Sequence, residues 1–146
     1  MTEFWNWSYQ TSIETTAKKE SAWAHWTDVP NWPSWDHELE WSLLIGTFQE
    51  GGYGRLKPKG IGPTLKFQFT KVVPKQEFTN VALAPFGTKI EFQHRIEPIS
   101  EEKSCLTLKV EAKRFLAPLL RFTLLRSLKR EMPKALQRLE EQCLGF

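Results

Sequence analysis

The chain has 146 residues, a net charge of +3, 25% charged and 13% aromatic residues, the proportions of one ordinary globular domain spanning 1–146. Collagen-like, disordered and disulfide-scaffold architectures are excluded, and the chain is long enough to bury a true core without crosslinks. The apolar stretch at 116–128 is interrupted by Arg121 and Arg126, so no segment approaches the run of roughly 18 uncharged residues that a spanning helix needs.

The N-terminus carries Glu3 and lacks the basic start and apolar region of a signal peptide, which makes the cytoplasm the expected compartment. Cys105 and Cys143 stand alone, and no Cys/His spacing suggests a metal; no metal and no cofactor are expected.

The predicted elements begin with residues 4–13, where Trp5, Trp7, Tyr9, Thr11 and Ile13 share one parity and polar residues the other. This period of two, with aromatic and β-branched residues, predicts a half-buried strand. Thr15 or Thr16 suits the cap of a short helix that sets Trp23 and Trp26 on one face. Pro30 and Pro33 end it and allow a second short turn. Asp36 is explained by capping or turn formation.

A run of strands follows. Leu39, Trp41, Leu43 and Ile45 are read as inward, then a short strand lies at 53–58 between Gly-rich turns, then Leu65, Phe67 and Phe69 alternate with polar residues. The stretch 77–84 is extended but ambiguous, because Val81 and Leu83 oppose Phe78, Ala82 and Ala84 in parity. Beyond the turn at 85–87, Ile90, Phe92, His94 and Ile96 share a face, as do Leu106, Leu108, Val110 and Ala112. Successive one-sided strands with short turns predict a curved antiparallel sheet.

At about 116–144 the period changes. Leu124, Leu125, Leu128, Met132, Ala135, Leu136 and Leu139 recur at three- and four-residue steps, predicting one long amphipathic helix with Pro118 in its first turn and a kink at Pro133. The predicted class is α+β: a strand, two short helices, six strands and a long C-terminal helix, making a seven-stranded sheet wrapped around that helix. One helix is narrow beside such a sheet, so space is expected between them.

This order, with WTDVPNWPSWD at 26–36, GGYGRLKPKG at 51–60, IEFQHRIE at 90–97 and MPKAL at 132–136, resembles the SRPBCC superfamily of START, Bet v 1-like and polyketide cyclase/dehydrase-type proteins. The resemblance spans essentially the whole chain. It implies a helix-grip fold with an apolar cavity between sheet and C-terminal helix, and a lipid, sterol, polyketide or other hydrophobic small molecule as partner. Only some members catalyse reactions, so fold does not decide function.

His94 is the sharpest candidate catalyst, an imidazole on an apolar face that needs a partner there and suits general acid/base work; a core histidine is the competing reading. Trp26, Trp35, Trp41, Phe67, Phe69 and Phe92 are candidate ligand-lining rings, with Leu124 and Leu128 opposite them on the helix. Arg121, on the same stripe, suits an anionic head group or a charge snorkelling to the rim. Tyr53 and Arg55 suit a cavity mouth or, equally, the plain surface. No paired carboxylates are apparent.

Three functions stay open: carriage of a hydrophobic molecule, a cofactor-independent cyclase/dehydratase working through His94, and an interaction module. The last rests on eight basic residues against the single acid Glu131 in 113–138. A solvated helix face explains them most simply, nucleic acid is not an expected partner, and transient contact with a membrane surface is left open. Oligomeric state is not legible.

Overall fold

The computed structural model describes residues 6–60 and 62–145. Strand β1 (Trp7–Thr15) leads to helix α1 (Lys19–Thr27) and a 3-10 helical segment (Val29–Ser34). Strands β2 (Leu39–Ile45), β3 (Tyr53–Pro58), β4 (Leu65–Val73), β5 (Glu77–Leu83), β6 (Lys89–Pro98) and β7 (Ser104–Lys113) follow. Helices α2 (Ala117–Phe122) and α3 (Leu124–Leu144) complete the chain. The seven strands form one antiparallel sheet in the order β1-β7-β6-β5-β4-β3-β2, so the first strand closes against the last. Trp5 lies outside the described residues.

Alternation produces the core. Trp7 on β1, Leu56 on β3, Phe67 and Phe69 on β4, Ile90 and Ile96 on β6, and Leu106 to Ala112 at even positions on β7 are buried on the face that α3 covers with Leu125, Leu128, Met132, Ala135, Leu136 and Leu139. In β5 the ambiguity is resolved by packing. Phe78, Asn80 and Ala82 point inward and Leu83 is exposed, because Phe78 enters a cluster of rings containing Trp23, Trp26, Trp32, Phe48 and Phe69. Gly54 is obligatory on β3: a Cβ there would lie 2.6 Å from the Phe67 ring opposite.

Two expectations need correction. The inward set of β2 is not Leu39, Trp41, Leu43 and Ile45. A bulge between Leu39 and Trp41 shifts the register, so Leu39 and Ser42 are buried while Trp41 and Leu43 face solvent. One extra residue reverses every side chain that follows. The Ser42 hydroxyl is satisfied by donating to the Val29 carbonyl at 2.6 Å.

The C-terminal segment is two helices rather than one. The interruption falls at Thr123, and α3 runs continuously through Pro133. Pro118 occupies the start of α2, where its missing N–H costs nothing. Thr15 does not cap α1; its hydroxyl accepts from the Ala17 amide at 3.0 Å, a local turn before the helix.

Candidate functional site

Between the sheet and the N-terminal half of α3 lies a cavity of about 100 Å³. Its walls come from the 3-10 segment and its exit (Trp32, Trp35, Asp36, Glu38), from β3–β6 (including Leu56, Asn80, Ile90, Phe92 and His94) and from Leu124 and Leu128 of α3. A second lobe of about 30 Å³ shares Trp35, Asp36, Glu38, Phe92, His94 and Leu128 and reaches Met132 and Ala135. The space exists because α3 covers β1 and β7 closely while small Ala82 and short Asn80 leave the middle of the sheet unfilled.

The lining is mainly apolar, but its few polar atoms are unusual. Trp35 Nε1, Asn80 Oδ1 and His94 Nδ1 are buried and have no hydrogen-bond partner. An orphaned buried group costs on the order of 1–3 kcal/mol, and here three belong to residues that line one cavity. A mainly apolar lining with a few polar side chains is the make-up of a small-molecule site.

His94 is held by rings. Phe78, its partner across the strands, stacks on the imidazole at 4.0 Å between centroids and 9° between planes, and Trp26 meets it edge-on at 5.4 Å. Burial lowers the imidazole pKa from 6.5 to about 3, with only the Phe78 backbone opposing the shift. The ring is therefore neutral near pH 7, with one nitrogen able to donate and the other to accept.

Asp36 forms the turn expected of it and also borders the cavity. Burial raises its carboxyl from 3.8 to about 6, against the backbone N–H of Glu38; the Glu38 charge adds to the rise, Arg138 opposes it and Glu131 supports it. Asp36 Oδ1 accepts that Glu38 N–H at 3.1 Å. Glu38 also borders the cavity and accepts the Ser127 hydroxyl at 2.7 Å, tying the start of β2 to α3 across the opening. Asp36 and Glu38 both border the cavity. Their i, i+2 spacing just before β2 is the signal that could have found them, as is Asn80 between inward Phe78 and Ala82.

Of the other predicted lining residues, Trp35, Phe92, Leu124 and Leu128 border the cavity. Trp26, Phe67 and Phe69 are fully buried away from it, within the ring cluster. Trp41 is 37% exposed on the opposite face. Tyr53 and Arg55 are also outward, Tyr53 with Lys66 Nζ 4.8 Å above its ring. Arg121 is exposed on α2, because the break at Thr123 takes it off the α3 stripe.

Half-buried Asp36 and buried His94 give opposite pH dependences. Asp36 holds its proton more tightly folded than unfolded, so its contribution to stability falls as pH rises from 3.8 through about 6. His94 does the reverse: the unfolded chain takes up the proton first, and stability is lost as pH falls from 6.5 toward about 3. Asp36→Asn keeps an acceptor for the Glu38 amide and is expected to raise urea stability by about 1–2 kcal/mol above pH 6, with no gain below pH 3.8. A gain independent of pH would contradict the burial of this carboxyl.

The fold is shared with several solved structures. The Zhui aromatase/cyclase from Streptomyces sp. R1128 superposes with a TM-score of 0.77 at 16% identity, over 94% of this chain and 93% of that one. Norcoclaurine synthase from Thalictrum flavum, in complex with dopamine and hydroxybenzaldehyde, gives 0.72 at 12% identity over 96% and 87%. A START superfamily protein from Mycobacterium smegmatis gives 0.73 at 17% identity over 92% and 97%. At these identities the likeness establishes the helix-grip fold alone. No curated protein matches the chain in sequence. Residues 6–143 match the family described as polyketide cyclase / dehydrase and lipid transport, and with that match covering nearly its whole length, the chain belongs to this family.

Proposed function

We propose that the protein binds a hydrophobic small molecule carrying at least one hydrogen-bonding group, in the cavity beneath α3. The observation that carries this reading is one largely apolar cavity lined by Trp35, Asn80 and His94, each of which also keeps a buried polar atom without a protein partner. The cavity sets the size of the first part to enter. Engineered cavities of about 150 Å³ admit benzene, so about 100 Å³ suits a single ring or short chain after modest movement of side chains. A larger body needs Leu124 and Leu128 to move outward, and the helix break at Thr123 lies immediately beside them. The hydroxybenzaldehyde bound by norcoclaurine synthase is a ligand of that general kind.

Native mass spectrometry of freshly purified protein tests the proposal. The expected spectrum contains the chain with a small-molecule adduct that is released on unfolding and extracts into organic solvent. The bare chain alone, under conditions that keep a known weak complex intact, would count against it.

Asp36 favours one second reading, catalysis of proton transfer on the bound molecule. A carboxyl with a pKa of about 6 beside a second carboxylate is poised for such work. Any turnover then depends on Asp36, with His94 and Asn80 orienting the substrate, and its rate changes with pH near that value.

A further inference from the structure

A second surface is as unusual as the cavity. Phe86 (77% exposed), Phe115 (81%), Leu119 (60%) and Phe122 (76%) are the most exposed large apolar residues described. They belong to three features at one end of the molecule: the β5–β6 turn, the β7–α2 connection and α2. The Leu116 amide donates to the Thr88 hydroxyl at 2.8 Å, joining the β5–β6 turn to the connection that carries Phe115. Thr88 itself is completely buried.

Folding does not account for these rings. Phe86 adopts φ 61°, a left-handed conformation that suits Gly or Asn and is costly for an aromatic residue. Arg114, just before Phe115, is also left-handed at φ 77°. Two strained positions thus present rings to water at the same end, where neither is covered by the chain. Exposed apolar patches of this kind mark interaction sites.

Charge selects the partner. From Lys113 to Arg130 the sequence has six basic residues and no acid. Among the described residues Arg114, Arg121, Arg126 and Lys129 form no ion pair, whereas Lys113 is engaged by Glu91 and Glu111. Protruding Phe and Leu interspersed with unpaired Arg is the composition that enters the interface of an anionic bilayer, rings at the acyl boundary and guanidinium groups among the headgroups. A nucleic acid would match the charge and leave four apolar side chains in water.

We propose that this end of the molecule docks on a membrane surface carrying anionic lipids, with Phe86, Phe115, Leu119 and Phe122 entering the interface and Arg114, Arg121 and Arg126 meeting the headgroups. Docking stands apart from the cavity reading. Ile90 and Leu124, two cavity walls, lie a few residues beyond Phe86 and Phe122 in the chain, so this end of the molecule carries both the docking residues and part of the cavity lining.

Co-sedimentation of the full chain with phosphatidylcholine vesicles, with and without phosphatidylserine, tests it. Binding is expected only when phosphatidylserine is present and to weaken as salt rises. Phe115→Ser and Phe122→Ser should each reduce partitioning about tenfold, and Arg121→Gln and Arg126→Gln about fivefold each. All four residues are exposed, and unchanged near-ultraviolet circular dichroism would establish that the variants are folded. Equal binding to both vesicle types, or binding indifferent to loss of the rings, overturns the proposal. So does a dimer in lipid-free sedimentation velocity that Phe115→Ser/Phe122→Ser dissolves while vesicles remain unbound. Asn80→Leu should leave vesicle binding intact, so failure of docking and failure of the cavity are read separately.

Discussion

Replacing Phe78 with Ala is expected to destabilise the protein by about 3–5 kcal/mol, the largest effect of any single substitution considered. Phe78 is fully buried and stands at the centre of the aromatic core. His94 stacks on one side of it, and Trp23, Trp26, Trp32, Phe48 and Phe69 surround the rest at centroid distances of 5.0–6.1 Å. Truncation removes the transfer energy of the ring and leaves a void that rigid indoles and phenyls cannot collapse into. Urea unfolding followed by tryptophan fluorescence would measure it, with Phe86→Ala as the exposed counterpart expected to change stability by less than about 0.5 kcal/mol. A loss below about 1.5 kcal/mol for Phe78→Ala would mean that the ring cluster is not the core described here.

Asn80→Leu is expected to have two effects of opposite sign. Leucine has nearly the shape of asparagine, so the substitution removes a buried, unpartnered Oδ1 without opening space, and stability should rise by about 1–3 kcal/mol. Binding of phenol, a single ring with one hydroxyl, should weaken by about tenfold, while benzene should bind the variant at least as well as the parent. A group that lowers stability while raising affinity is retained for its ligand. Loss of stability together with unchanged phenol affinity would assign Asn80 a structural role. Calorimetric titration and urea unfolding of the same preparations give both readings.

Much of this architecture was legible from periodicity alone. On β6 and β7 the alternation is uninterrupted, both neighbours are present, and the inward residues are those expected, His94 among them. The same holds for the α3 stripe, whose three- and four-residue steps leave one buried face. Periodicity failed where a local irregularity resets it. The bulge near Glu40 turned Trp41 outward, and the break at Thr123 took Arg121 off the helical stripe; neither depends on a residue type that announces it. On β5 the sequence is apolar at both parities, so only the ring cluster around Phe78 decides which face is inside.

The site was less legible than the fold for a related reason. Asp36, Glu38, Asn80 and His94 are spread over three separate elements and converge only when the sheet curves beneath α3. Burial, and not residue type, makes Asp36 titrate near 6 and keeps His94 neutral. A histidine on an apolar face signals that something polar is buried there, but its environment determines whether it carries protons. Here Phe78 stacks on the ring and Trp26 meets its edge, so burial keeps His94 neutral near pH 7 while the Asp36 carboxyl, on the same cavity lining, rises to about 6.

The account rests on the polar side chains that line the cavity, and a crystal structure of the protein soaked with phenol examines them directly. The predicted result is a ring seated between Ile90, Phe92, Leu124 and Leu128, its hydroxyl within hydrogen-bond distance of Asn80 or His94. A cavity holding water alone at saturating phenol, or a ring bound only at the outer surface, would contradict it.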